Sequence, residues 1–226
     1  MQPTRKIGKS HSALRAVHPS VKNGRVVQLE SALERDFCCL LEFERDITSY
    51  VEQPVAIDYV LNGRSHRYTP DFLIHYVGEK PGVLAEIKYR ADLRAHWAQL
   101  KPKFRAAKRY ASAQGWEFRL YTEAEIQTPY LDNVKFLLCF RAPASALRRE
   151  YAQLLLEAMA QLDESTPAEI LLVAFQDADR RAELLPVLWH LVSSGQIGCN
   201  LFQPLTMRSP VWSIDGHLSL PDHGQN

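Results

Sequence analysis

Apolar residues at Leu33, Phe37, Leu40 and Leu41 fall on helical spacing and predict an amphipathic helix over "ESALERDFCCLLEFE". The pattern changes in "ITSYVEQPVAIDYVLNG", which reads as strand, proline break, strand, with Asn62-Gly63 as a turn. "RYTPDFLIHYVGEKPGVLAEIKYR" then gives two apolar strands joined through "GEKPG". A helix follows in "AHWAQLKPKFRAAKRYASAQG", with Trp97, Leu100, Phe104, Ala107 and Tyr110 on one side and Gly115 as its stop. Pro102 inside it marks either a kink or a break into two helices. "WEFRLYTE" is a short strand, and "NVKFLLCFR" is compatible with a strand or a short helix. Beyond "RAPAS" at residues 141–145 come three helical segments, the second opened by Thr166 as N-cap and Pro167 at the first helical position. Gly195 ends the third, and "IGCNLFQPLTMRSPVWSID" gives two short strands. Three helices and a β-hairpin is the order of a winged helix.

This pattern predicts an α/β protein in three parts. Residues 1–28 form a basic arm read as extended, because they hold few large apolar residues. Residues 29–140 form a domain with a mixed sheet flanked by helices, and 145–220 form a winged-helix-like domain. A length of 226 residues suffices for two cores. No apolar run approaches the roughly 20 residues of a membrane span, and no signal core follows the N-terminus, so the expected location is cytoplasmic. Cys38, Cys39, Cys139 and Cys199 lie in apolar contexts without CxxC pairing and read as buried free thiols.

Charge sharpens the division. The net charge of +1 hides six basic and no acidic residues in 1–28, and six basic against ten acidic residues from 141 onward. Arg90, Arg94, Lys101, Lys103, Arg105, Lys108 and Arg109 oppose one acid, Asp92, in residues 90–109. A polyanion such as DNA fits the first part of the chain, with these helix cations as phosphate contacts. The acidic C-terminal part suits a protein partner.

Asp71, Glu86 and Lys88 interrupt the two apolar strands, and half-buried charges of this kind call for compensation. Glu86 and Lys88 face one side of their strand. An even hairpin loop over Gly78–Pro81 would set Asp71 opposite Lys88 on that face; an odd one would send it to the other. Two carboxylates and an ammonium suit phosphodiester hydrolysis, in which hard Mg²⁺ takes carboxylate oxygens and a lysine stabilises developing charge. Mn²⁺ can substitute. Glu34, on the preceding helix, is either a third member or the partner of Ser31 in an S-x-x-E capping box. Glu30 reads as a solvated carboxylate. His66 and His75 flank Asp71 in sequence; His66 reads as a surface residue, with approach to DNA as the alternative, and Trp97, Trp116, Trp189 and Trp212 read as core.

The spacing P-D-x14-E-x-K resembles the PD-(D/E)xK nuclease signature. "PSVKNGRVVQLESALERDFCCLLEFERDITSYVEQPV", "YTPDF" and "AEIKYR" together resemble the catalytic domain of the TnsA family over roughly residues 4–125. TnsA is the endonuclease subunit of heteromeric, Tn-seven-like transposons, including CRISPR-associated ones. The resemblance implies a restriction-endonuclease-like fold, with Glu34, Asp71 and Lys88 at active-site positions and Glu86 at the intermediate one. Asp71 and Glu86 then ligand metal, Glu34 completes the metal site or positions water, and Lys88 stabilises charge. It implies cleavage at the 5′ ends of the element, beside a DDE transposase, TnsB, and an AAA+ regulator, TnsC, which the C-terminal domain engages. A stand-alone restriction or repair nuclease and a non-cleaving assembly factor are the rival readings.

Overall fold

The computed structural model describes residues 16–141 and 146–214. The chain divides into two compact units between Thr128 and Pro129. The expected boundary at 141–145 therefore moves: the segment around Val134 is a helix and belongs to the second unit. Residues 1–15 lie outside the described residues, so the expectation for that part of the arm has no structural counterpart.

The first unit opens with an antiparallel hairpin, β1 (Ala16–Ser20) and β2 (Arg25–Leu29). This corrects the reading of residues 16–28 as extended. Val27 and Leu29 alternate with exposed Val26 and Gln28, so the strand has a buried face. Its basic residues are engaged locally. Lys22 donates to the Ile47 carbonyl at 2.7 Å, and Arg25 forms a two-bonded ion pair with buried Glu52. Helix α1 (Ala32–Phe43) follows, capped by Ser31.

Next come β3 (Ile47–Glu52), β4 (Ile57–Leu61), β5 (Arg64–Tyr68), β6 (Phe72–Tyr76), β7 (Val83–Ile87), α2 (Arg90–Ala113), β8 (Glu117–Tyr121) and α3 (Glu123–Ile126). The main sheet runs β3-β6-β7-β8, antiparallel except for β7 and β8, which are parallel across α2. Hairpin β4-β5 is separate and turns at Asn62 and Gly63, both with positive φ. Its second strand is one the hydropathy pattern did not separate, because "RSHR" is exposed and polar.

The sheet has two buried faces. Leu73 and Leu84 pack with Ala106, Ala107 and Ala111 of α2 and with Ile57 and Tyr68 of the hairpin. Phe72 turns the other way, to Phe37 of α1 with ring centroids 5.6 Å apart. Helix α2 is irregular at His96 rather than at Pro102. Residues 90–99 are almost all exposed, so the first turns stand off the core and the second half packs on it. Trp97 lies on the exposed half and is 46 % exposed, contrary to its expected core position.

The second unit comprises α4 (Pro129–Leu138), α5 (Ala146–Leu162), β9 (Glu164–Ser165), α6 (Pro167–Ala174), α7 (Ala178–Ser193), β10 (Ile197–Cys199) and β11 (Val211–Ser213). The strands form an antiparallel sheet in the order β10-β11-β9. Thr166 and Glu169 close a capping box on α6, with Pro167 in its first turn. Asn133 is buried in α4 and donates to the carbonyls of Leu201 and Gln203 at 2.8 and 2.7 Å. Its own oxygen accepts from Leu205 N at 3.0 Å. Cys38 and Cys39 are buried free thiols, but Cys139, at the end of α4, is exposed. Among the described residues no helix is long and apolar enough to cross a membrane.

Candidate functional site

Strand register decides which side chains meet. Phe72 pairs with Ala85, Leu73 with Leu84 and Ile74 with Val83. One step further along, Asp71 lies across from Glu86 rather than Lys88. The parity condition is met with a two-residue offset, so Asp71, Glu86 and Lys88 share the face that Leu73 and Leu84 turn to α2. Lys88 Nζ stands 3.9 Å from Asp71 Oδ2 and 3.4 Å from Glu86 Oε1. The Ile87 amide donates to Asp71 Oδ2 at 2.6 Å.

Glu34 approaches from the first turn of α1. Its carboxylate accepts from Ser31 Oγ at 2.8 Å and from the Glu30 amide at 2.9 Å, so it caps the helix. It also lies within the field of Lys88, so the capping and functional readings concern one group. Burial raises its pKa, against the lowering effect of those hydrogen bonds and of Lys88. Asp71 is raised well above the usual carboxylate range, first by burial and then by Glu86, with Glu34 adding to it. Lys88 and the Ile87 amide oppose that rise. Burial pulls Lys88 down, but Asp71, Glu86 and Glu34 together leave it above its ordinary value. The cluster thus gathers three carboxylates within the field of Lys88.

Three further residues belong to this cluster. Tyr68, at the end of β5, donates to Glu86 Oε2 at 2.5 Å. Lys103 donates to Glu86 Oε1 at 3.0 Å, so one of the cations expected to meet phosphate is engaged with a carboxylate instead. Gln53 carries a positive φ of 46° and its amide donates to the Asp71 carbonyl at 2.8 Å. Its side chain donates to Glu30 Oε1 at 3.0 Å, and its buried amide oxygen has no partner. A strained, buried glutamine clamping the backbone of Asp71 is the kind of feature that collects at functional sites. The "EQP" triplet was its only sequence signal.

The other helix cations remain outward. Arg90, Arg94, Lys101, Arg105 and Lys108 are exposed. Arg90 also approaches Glu125 at 3.9 Å. His66 is exposed and stacks on Tyr59. His75 is half-buried edge-on to Trp116.

Among the described residues no three His, Cys, Asp or Glu side chains are grouped so as to hold a metal ion. Mg²⁺ does not require such a group, because it keeps several waters and takes one or two carboxylates together with substrate phosphate. Asp71 and Glu86 flank a position already occupied by a cationic group, and a cation there relieves the repulsion that raises Asp71. The donor set therefore fits a hard divalent ion held by two carboxylates. Glu34 has both oxygens in the cap and Glu86 has both engaged, by Lys103 and Tyr68, so an ion bound by either would have to share or displace those contacts.

Residues 44–123 match the family model for the TnsA-like endonuclease N terminal, and residues 125–201 match that for the TnsA endonuclease C terminal. Asp71, Glu86 and Lys88 fall inside the first match, and Glu34 precedes it. No curated protein matches the chain. The second match begins close to the Thr128–Pro129 division. The two matches run in tandem over more than half of a chain with a mixed sheet flanked by helices, and the chain belongs to the TnsA family of transposition endonucleases.

Proposed function

We propose that this protein cuts DNA at the 5′ ends of a transposon by Mg²⁺-dependent phosphodiester hydrolysis. The observation that carries the reading is Lys88 lying between Asp71 and Glu86 on one face of the sheet, within the field of Glu34. A bound Mg²⁺ supplies charge neutralisation at the phosphate and an activated water. Asp71 and Glu86 hold the ion. Lys88 stabilises charge on the phosphate oxygens, and Glu34 orients the attacking water. Exposed Arg94, Lys101, Arg105 and Lys108 contribute sequence-independent affinity for the backbone.

The family supports a division of labour in which the transposase TnsB cuts the 3′ ends and the regulator TnsC docks on the second unit. That unit reads as winged-helix-like from its helix and strand order, and its acidic balance favours a protein partner. The sequence resemblance also favours the CRISPR-associated branch, acting at the bacterial nucleoid.

The test is strand-resolved cleavage of a donor plasmid with Mg²⁺, TnsB and TnsC, comparing wild type with Asp71→Ala. Loss of the 5′-strand cuts alone supports the reading. Identical cuts in both proteins would leave the carboxylates structural and place the chemistry elsewhere. Cutting by the wild type without partners would point to a stand-alone nuclease.

A further inference from the structure

Glu86 is 1 % exposed and receives more counter-charge than one carboxylate requires. Lys103 and Lys88 both reach Oε1, at 3.0 and 3.4 Å, and Tyr68 holds Oε2. The two lysines are held differently. Lys103 is 18 % exposed, lies 4.6 Å over the Tyr68 ring and stems from the half of α2 that packs on the core. Lys88 is 30 % exposed, follows the last residue of β7 and shares itself among Asp71, Glu86 and the Ile87 carbonyl.

We infer that the two lysines divide the work at Glu86. Lys103, braced by Tyr68, is a fixed counter-charge that positions this carboxylate, and Lys88 is the ammonium that moves off it when a divalent ion arrives. The inference rests on the metal-dependent nuclease reading. Lys103 acts through Glu86 and is a positioning residue, not a phosphate contact. Its consequence is electrostatic. A fixed ammonium beside a metal ligand repels an incoming dication, so the free protein binds metal weakly. The phosphate of bound DNA adds the missing negative charge and a further oxygen ligand. Metal loading is thereby tied to the arrival of DNA.

The test uses the full chain and Mn²⁺ as probe, titrated calorimetrically without DNA. Lys103→Met tightens Mn²⁺ binding by about tenfold. DNA affinity in metal-free buffer stays within about twofold, with an unchanged salt dependence. Lys103→Arg, which keeps the charge, retains the weak Mn²⁺ binding of the wild type. Unchanged Mn²⁺ affinity in Lys103→Met overturns the inference, and a salt slope reduced by about one would return Lys103 to phosphate. If Lys103→Met does not fold, Lys103→Gln decides: it too should tighten Mn²⁺ binding about tenfold, and wild-type Mn²⁺ affinity in it overturns the inference. Wild-type cleavage by Asp71→Ala removes the nuclease reading and this inference with it; failure of the lysine results alone leaves that reading standing.

Discussion

The two units bury polar groups of different kinds. Among the described residues, Asp36, Glu42, Glu52 and Glu86 are buried carboxylates, and all lie in the first unit. The second unit buries Asn133 and Ser193, both neutral. Asn133 spends its amide on three backbone groups and fixes a loop, which requires no counter-ion. Within the first unit the carboxylates divide again. Glu52 is paired with Arg25, and Glu42 accepts from Ser20, Tyr50 and the Val21 amide. Those are settled structural groups. Glu34, Asp71 and Glu86 instead crowd like charges around Lys88, and this is where the proposed metal ion would enter.

The sharpest way to break this comparison is Asp71→Asn. Cleavage should fall by at least about a thousandfold, measured in a single-turnover assay. The amide can still accept from Ile87, so the same variant should make the metal-free protein more heat-stable at neutral pH. Wild-type cleavage, or a loss of stability, would mean that Asp71 is a structural carboxylate like Glu42.

Removing a settled group should act the opposite way. Glu42→Ala leaves Ser20 and Tyr50 without their buried acceptor and should destabilise the first unit by about 2–4 kcal/mol in chemical denaturation. The second unit has its own weak point in packing. A Cβ on Gly198 would lie 2.1 Å from Trp212 Nε1. Gly198→Ala should therefore cost about 1–3 kcal/mol and shift tryptophan emission, while Mn²⁺ binding by the first unit is retained.

Asp71 and Glu34 also carry a pH signature. The pKa of Asp71 is raised in the folded protein, so the metal-free native state holds its proton at pH values where the unfolded chain has lost it. The stability contribution of this group falls as pH rises from the ordinary aspartate range through its folded value. Glu34 has the same sign. Asp71→Asn should flatten that decline, and Mn²⁺ binding to the wild type should weaken on acidification because the ion displaces the proton. Equal pH slopes in variant and wild type would show that Asp71 does not titrate there. The smallest effect belongs to the exposed helix. Arg105→Gln with Lys108→Gln should reduce DNA affinity several-fold and the salt slope by about two, without altering the metal requirement.

Much of this molecule was legible because the signals are local. Capping of α6 by Thr166 and Pro167 and the Asn62-Gly63 turn each follow from backbone sterics and hydrogen bonding within a few residues. Spacing likewise put Glu86 and Lys88 on one side. The sequence could pose the question of Asp71 but not answer it, because the answer depends on register across a hairpin. It missed the β1-β2 hairpin where valine alternation was short. It placed α4 with the wrong unit, because a helix carries no label for the core it joins.

What the sequence determined by itself is the chemistry at hand: two carboxylates and a lysine at nuclease spacing, behind a helix bearing a third carboxylate. Tertiary structure alone decided which groups share charge. It brought Lys103 from α2 and Tyr68 from a separate hairpin onto Glu86, and set Gln53 in a strained clamp on Asp71. The physical reason is that helix phase, strand register and hairpin placement act over tens of residues, whereas spacing reports only neighbours on one element.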